Sequence, residues 1–220
     1  MKFKFSMNST DKETTFFSTN TYSTLNKMTD KTKNIWLVFH GIGYLSRYFL
    51  KYFKELNVDE NYIIAPQASS KYYLGSKYKH VGASWLTKEN TKKEIENVMS
   101  YLDAVIENEE LPSKKNIIVL GYSQGVSVAL RYVARRKFKC SQLVLMSGGI
   151  PTELEAQDFE FLKDKTKVSF VYGTQDEYLN EEVMDKERKL FFELFKDNAK
   201  IISFEGGHIL KKELLKEFIK

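Results

Sequence analysis

Six short stretches of the chain are almost continuously apolar and rich in β-branched residues: NIWLVF at 34–39, YIIA at 62–65, IIVL at 117–120, LVLM at 143–146, VSFVY at 168–172 and IISF at 201–204. Runs of this length without alternation suit strands buried on both faces, so they predict a parallel sheet. Between them the apolar positions change to helical spacing, at 45–56, 91–107, 126–136, 181–196 and 209–219. Thr91 and Glu94 predict a capping box at the start of the second of these. Residues 14–24 alternate loosely around Phe16, Phe17 and Tyr22 and predict a strand or hairpin at the sheet edge. Strands and helices in alternation, joined by right-handed crossovers, predict an α/β fold: a mostly parallel sheet with helices on both faces. No repeat or low-complexity tract interrupts the pattern and only three prolines occur, so residues 1–220 read as a single domain.

Composition narrows the partners. The 220 residues are 42% hydrophobic, enough to bury one sizeable core. The net charge of +5 comes from 34 basic and 29 acidic residues spread along the chain, with no arginine cluster, which predicts a mixed solvated surface and no nucleic-acid partner. The one cysteine, Cys140, cannot close an intramolecular disulfide and has no neighbouring metal-ligand set, so a reducing, cytoplasmic location is expected. No apolar run reaches the length of a signal peptide or a membrane span.

Chemistry gathers where such a sheet presents it, at the carboxyl ends of the strands. His40-Gly41-Ile42-Gly43 follows the first strong strand, and Gly121-Tyr122-Ser123-Gln124-Gly125 joins the central strand to a helix. Gly173-Thr174-Gln175-Asp176 and Glu205-Gly206-Gly207-His208 follow two later strands. A nucleophile, an acid and a histidine therefore occur in order. A serine hydroxyl needs a neighbouring imidazole to take its proton, and the imidazole needs a carboxylate to hold its tautomer. A sharp strand-to-helix turn would lift the hydroxyl clear of the sheet, with small residues two positions away leaving it room. On the residues alone, Ser123 could instead be a turn serine, and Glu177 and Glu205 compete with Asp176 for the acid. His80 has no evident role. The aromatic clusters RYFLKYF and LFFELF have helical spacing and read as core.

The stretches FHGIG, APQ, GASWL, LGYSQG, GTQDE and GGH, in this order, resemble the small carboxylesterase/phospholipase and acyl-protein thioesterase group of the α/β-hydrolase fold. The resemblance covers the chain from about residue 34 onward. It implies Ser123 as nucleophile, Asp176 as acid and His208 as base, with the backbone N–H groups of Ile42 and Gln124 forming an oxyanion hole. It places Trp85, Tyr44 and His40 around the substrate, although Trp85 could equally be core and His40 could brace the loop. The chain departs from the group at Tyr44 and Thr87, where acidic residues are usual.

Together these features predict a carboxylesterase-type serine hydrolase of soluble short- to medium-chain acyl esters, needing no metal or cofactor, as a monomer or homodimer. Acyl thioesters or lysophospholipids are the alternative substrates, and a non-catalytic ligand-binding member of the fold is a third reading. The 21 residues from 147 to 167 are too few and too polar for a lid domain, so no large lid is expected, unless the tyrosine-rich segment 67–81 supplies one.

Overall fold

In the computed structural model, residues 10–112, 114–163 and 165–219 are described. The chain runs through strands β1 (Tyr22–Leu25) and β2 (Asn34–Phe39) into a short helix α1 (Ser46–Phe49), which tightens into a 3-10 turn over Leu50–Phe53. Strand β3 (Asn61–Pro66), a hairpin of β4 (Ser70–Leu74) and β5 (His80–Ser84), and helix α2 (Thr91–Glu109) follow. Then come β6 (Asn116–Tyr122), α3 (Gln124–Arg136), β7 (Gln142–Met146), a 3-10 helix over Ala156–Leu162, β8 (Lys167–Gly173), α4 (Glu181–Phe195), β9 (Ala199–Phe204) and a 3-10 helix over Lys212–Glu217.

Seven strands form one sheet in the order β1-β3-β2-β6-β7-β8-β9. The edge strand β1 pairs antiparallel with β3, and every other pairing in this sheet is parallel. The predicted α/β class and mostly parallel sheet are therefore observed, and the loosely alternating segment 14–24 contributes only its last residues to an edge strand. Strand periodicity divides each buried run between two cores. Ile35, Leu37 and Phe39 face a core closed by α2, α3 and α4, whereas Trp36 and Val38 face one closed by Phe49, Phe53, Leu215 and Phe218.

The second face is covered differently from the sequence expectation. The helices expected over 45–56 and 209–219 are largely 3-10 turns, and their buried residues explain why. Leu50, Phe53 and Leu56 are spaced by three, as are Leu215 and Phe218, and a 3-10 turn places such residues on one edge. Neither segment starts with a side-chain cap that would favour a longer α-helix. The capping box expected at Thr91 also does not form. Asn90 precedes the helix at φ 49° without a side-chain cap, and the Thr91 hydroxyl donates back to the Thr87 carbonyl at 2.8 Å. The reciprocal box occurs instead between Glu155 and Asp158. Among the described residues, no helix is long and apolar enough to cross a membrane.

The β4–β5 hairpin was not expected. All of β4 is exposed, so its sequence SKYYL carries no inside-outside alternation to betray a strand. It stands apart from the main sheet and leans on the loop after β2: the Gly43 N–H donates to the Ala83 carbonyl at 2.8 Å.

Candidate active site

Ser123 occupies the junction of β6 and α3 with φ 53° and ψ −122°, a conformation that L-residues rarely adopt and that stores strain. The surroundings hold it there. A β-carbon on Gly121 would lie 2.5 Å from the Gly125 carbonyl oxygen, and one on Gly125 would lie 2.1 Å from the Phe39 carbonyl oxygen. Only glycine permits β2, β6 and α3 to converge under the turn. The Ser123 N–H donates to the Met146 carbonyl at 2.9 Å, tying the turn to β7.

Two other strand ends bring groups to Ser123. His208 Nε2 lies 2.9 Å from Ser123 Oγ, and His208 Nδ1 lies 2.9 Å from Asp176 Oδ2. Asp176 is buried, and its Oδ1 also accepts the backbone N–H groups of Tyr178 at 2.9 Å and Leu179 at 3.3 Å. Those bonds fix the carboxylate so that it faces the imidazole. The rival carboxyls of Glu177 and Glu205 are exposed, and His208 pairs with neither. A β-carbon on Gly173 would lie 2.3 Å from the Gly206 carbonyl oxygen, so this glycine lets the acid and histidine loops approach. The Tyr122 hydroxyl donates to the His208 carbonyl at 2.9 Å, and the Tyr178 ring stands edge-on to the imidazole, 4.8 Å between centroids.

The loop 40–43 is braced from below. His40 is fully buried: its Nδ1 lies 2.8 Å from the Gly41 carbonyl, while its Nε2 accepts the Ala68 N–H at 3.2 Å. That pattern demands the neutral tautomer with hydrogen on Nδ1. Burial lowers its pKa from the ordinary 6.5 to about 4, against a smaller opposing effect of the Gly41 carbonyl. Trp85, only 1% exposed, donates its Nε1–H to the His40 carbonyl at 2.8 Å and packs against the His40 ring. Neither residue lines the cleft, so the expected contact of Trp85 and His40 with substrate gives way to a bracing position, because both rings are consumed in supporting the loop. Gln124 is bolted to the end of β5: its side chain accepts the Trp85 N–H at 2.8 Å and donates to the Leu86 carbonyl at 2.7 Å.

Above Ser123 opens a cavity of about 600 Å³. Ile42, Gln124 and Tyr44 line it, and the Tyr44 hydroxyl lies 3.1 Å from that of Tyr52. Its far side consists of residues that the sequence did not single out: Ser147, Gly148 and Gly149 after β7, then Leu179, Val183 and Glu187. The last three recur every four positions, a spacing visible in the sequence but ordinary for any helix face.

The chain matches the Phospholipase/Carboxylesterase family over residues 20–220. It is 30% identical over 125 residues to acyl-protein thioesterase 1 of Debaryomyces hansenii, a match covering 56% of this chain. The chain spans about half, 53%, of that relative's length. Among solved structures, acyl-protein thioesterase 2 of Zea mays superposes with a TM-score of 0.67 at 16% identity, over 90% of this chain and 96% of the other. A phospholipase/carboxylesterase of Dyadobacter fermentans superposes with a TM-score of 0.64 at 19% identity, over 92% and 96%. At such identities the superpositions establish the α/β-hydrolase fold, and the match over nearly the whole sequence establishes more: this chain belongs to the phospholipase/carboxylesterase family.

Proposed function

We propose that the protein is a serine hydrolase that cleaves short- to medium-chain carboxylic acyl esters through an acyl-enzyme on Ser123. The observation that carries this reading is the unbroken relay from Ser123 Oγ through both ring nitrogens of His208 to Asp176, at 2.9 Å on each side. In this reading His208 takes the hydroxyl proton as Ser123 Oγ attacks the ester carbonyl, and Asp176 stabilises the imidazolium that forms. The negative charge that develops on the carbonyl oxygen is received by the backbone N–H groups of Ile42 and Gln124, whose loops are held rigid by His40, Trp85 and the Gln124 side chain. Collapse of the tetrahedral intermediate breaks the bond to the alcohol, which leaves with the proton from His208. Water, activated by the same imidazole, then releases the acid and regenerates Ser123.

Acyl thioesters form a second reading, favoured by the Debaryomyces and Zea mays relatives, both named as acyl-protein thioesterases. The machinery is common to both bond types, so paired oxygen-ester and thioester substrates with the same acyl group decide between them.

A fluorophosphonate probe tests the shared core of both readings. Wild-type protein is expected to label at Ser123, and folded Ser123→Ala to remain unlabelled. Ser123→Ala and His208→Ala should each lower kcat on the order of 10³-fold or more, with the double variant little worse, because residues acting as a unit are not additive. Asp176→Asn should be far more damaging than Glu177→Gln or Glu205→Gln. Additive losses, or a crippling Glu205→Gln, would overturn the assignment.

A further inference from the structure

One wall of the cleft carries a charged group that the proposed reaction does not use. Leu179, just ahead of α4, and Val183 and Glu187, one turn apart within it, line the cavity as a stripe. Two of these are apolar and the third is a carboxylate. Glu187 Oε2 accepts the Ile150 N–H at 2.9 Å, which fixes the side chain's direction, while Oε1 takes no hydrogen bond from a described residue. Gly149 leaves room beside that second oxygen, since a β-carbon there would sit 3.3 Å from it. No lysine or arginine among the described residues pairs with Glu187; the adjacent Arg188 engages Asp185 and the Tyr172 hydroxyl instead.

A half-buried carboxylate without a counter-cation loses hydration that the single Ile150 N–H only partly replaces. Burial accordingly raises the Glu187 pKa, outweighing the opposing Ile150 N–H. A cation brought into the cleft would restore the lost interaction. The same cavity is lined by Tyr44 and by the exposed Tyr178, and aromatic rings attract ammonium groups, including quaternary ones.

We infer that Glu187 is a specificity residue that receives an ammonium group carried by the substrate, so that the cleft selects cationic esters over neutral ones of the same shape. This inference rests on Ser123 being the ester-cleaving nucleophile. It assigns Glu187 to substrate binding, apart from the bond-making steps.

The test compares isosteric pairs within one protein, so that differences in folding or active fraction cancel. Choline butyrate is set against 3,3-dimethylbutyl butyrate, placing the cation on the alcohol side. A nitrophenyl ester with a trimethylammonium-terminated acyl chain is set against its tert-butyl-terminated counterpart, placing it on the acyl side. The charged member of at least one pair is expected to have the higher kcat/KM, on the order of tenfold, corresponding to about 1.4 kcal/mol. Added salt should shrink that ratio in the wild-type protein, a readout that needs no variant. Glu187→Gln should bring the ratio close to one, and Glu187→Lys should invert it. Equal kcat/KM within both pairs, or a preference that survives in folded Glu187→Gln, would overturn the inference. Turnover of the neutral esters together with labelling of Ser123 would then show that only the role of Glu187 has failed. Absence of both turnover and labelling would overturn the hydrolase reading beneath it.

Discussion

His40 shows how one side chain links the loop beside Ser123 to the stability of the whole chain. Its ring is enclosed by Phe49 and Trp85, and its two nitrogens are committed to the Gly41 carbonyl and the Ala68 N–H. Burial disfavours the charged imidazolium and holds the pKa at about 4, and protonation of Nε2 would in addition turn an acceptor into a donor facing the Ala68 N–H. The unfolded chain binds a proton at this histidine below about pH 6.5, whereas the folded chain does not until about pH 4. The unfolded state therefore carries the excess proton between these values, and stability rises with pH across that window. His40 contributes no penalty above pH 6.5 and an increasing one as pH falls toward 4, at up to about 1.4 kcal/mol per pH unit. Chemical denaturation of the wild type and of His40→Gln at several pH values checks this. The variant loses the ring contacts with Phe49 and Trp85, so the slope and not the absolute stability is the quantity to compare, and it should be shallower between pH 6 and 4. Identical slopes would mean that His40 binds its proton in the folded protein as readily as in the unfolded chain.

Among the elements, the β4–β5 hairpin tests whether the loop beside Ser123 is held by its neighbours. Gly82 passes so close to that loop that a β-carbon on it would lie 2.6 Å from the Gly43 carbonyl oxygen, and the Gly43 N–H is bonded to the adjacent Ala83 carbonyl. Gly82→Ala should push the loop 41–43 away from Ser123 and lower kcat by tenfold or more, since small displacements of positioned groups are costly. The hairpin lies outside the main sheet, so the thermal midpoint should move by only a few degrees. Unchanged kcat, or unfolding in parallel with the activity loss, would show that the hairpin does not position the loop. This hairpin also marks the limit of what the sequence made legible. Five of the six apolar runs form the buried interior strands β2, β3, β6, β7 and β8, as strands covered on both faces should, whereas the sixth, IISF, forms the edge strand β9, which has no fully buried residue. The exposed tyrosines of β4 carry no such signal, and the period-three apolar positions at 50–56 were compatible with a helix until packing selected the tighter turn. The same contrast holds within the cleft. Ser123, Asp176 and His208 were legible because each follows a strand end, two of them beside glycines required by backbone contact. Glu187 was not, because a glutamate on an amphipathic helix reads as solvent-facing until the fold turns that stripe onto a cavity.

At the scale of the whole molecule, access to Ser123 depends on what covers the carboxyl ends of the strands. Three longer helices pack on one face of the sheet, while α1 and short 3-10 turns cover the other, and the cleft opens where β6, β8 and β9 deliver their loops. The segment between β7 and β8 is the stretch that is too short and polar for a lid domain. Its 3-10 helix over Ala156–Leu162 turns Phe159 and Leu162 inward, and Phe159 meets Phe195 of α4 with 4.7 Å between ring centroids. The apolar residues that a lid would present to substrate are thus spent on the core, and among the described residues of this stretch only Ser147, Gly148 and Gly149 reach the cleft. No residue of the β4–β5 hairpin lines it either. A cleft without a covering apolar underside has nothing to release at an oil-water interface. Under the proposed reading, hydrolysis of p-nitrophenyl esters from acetate to octanoate should therefore depend smoothly on concentration, and the octanoate curve should pass its solubility limit without a step. Initial rates measured across that limit provide the check. A sharp rise as droplets form, or a preference for long-chain triglycerides, would mean that the hairpin or the stretch after β7 swings over the cleft in solution and opens only at an interface.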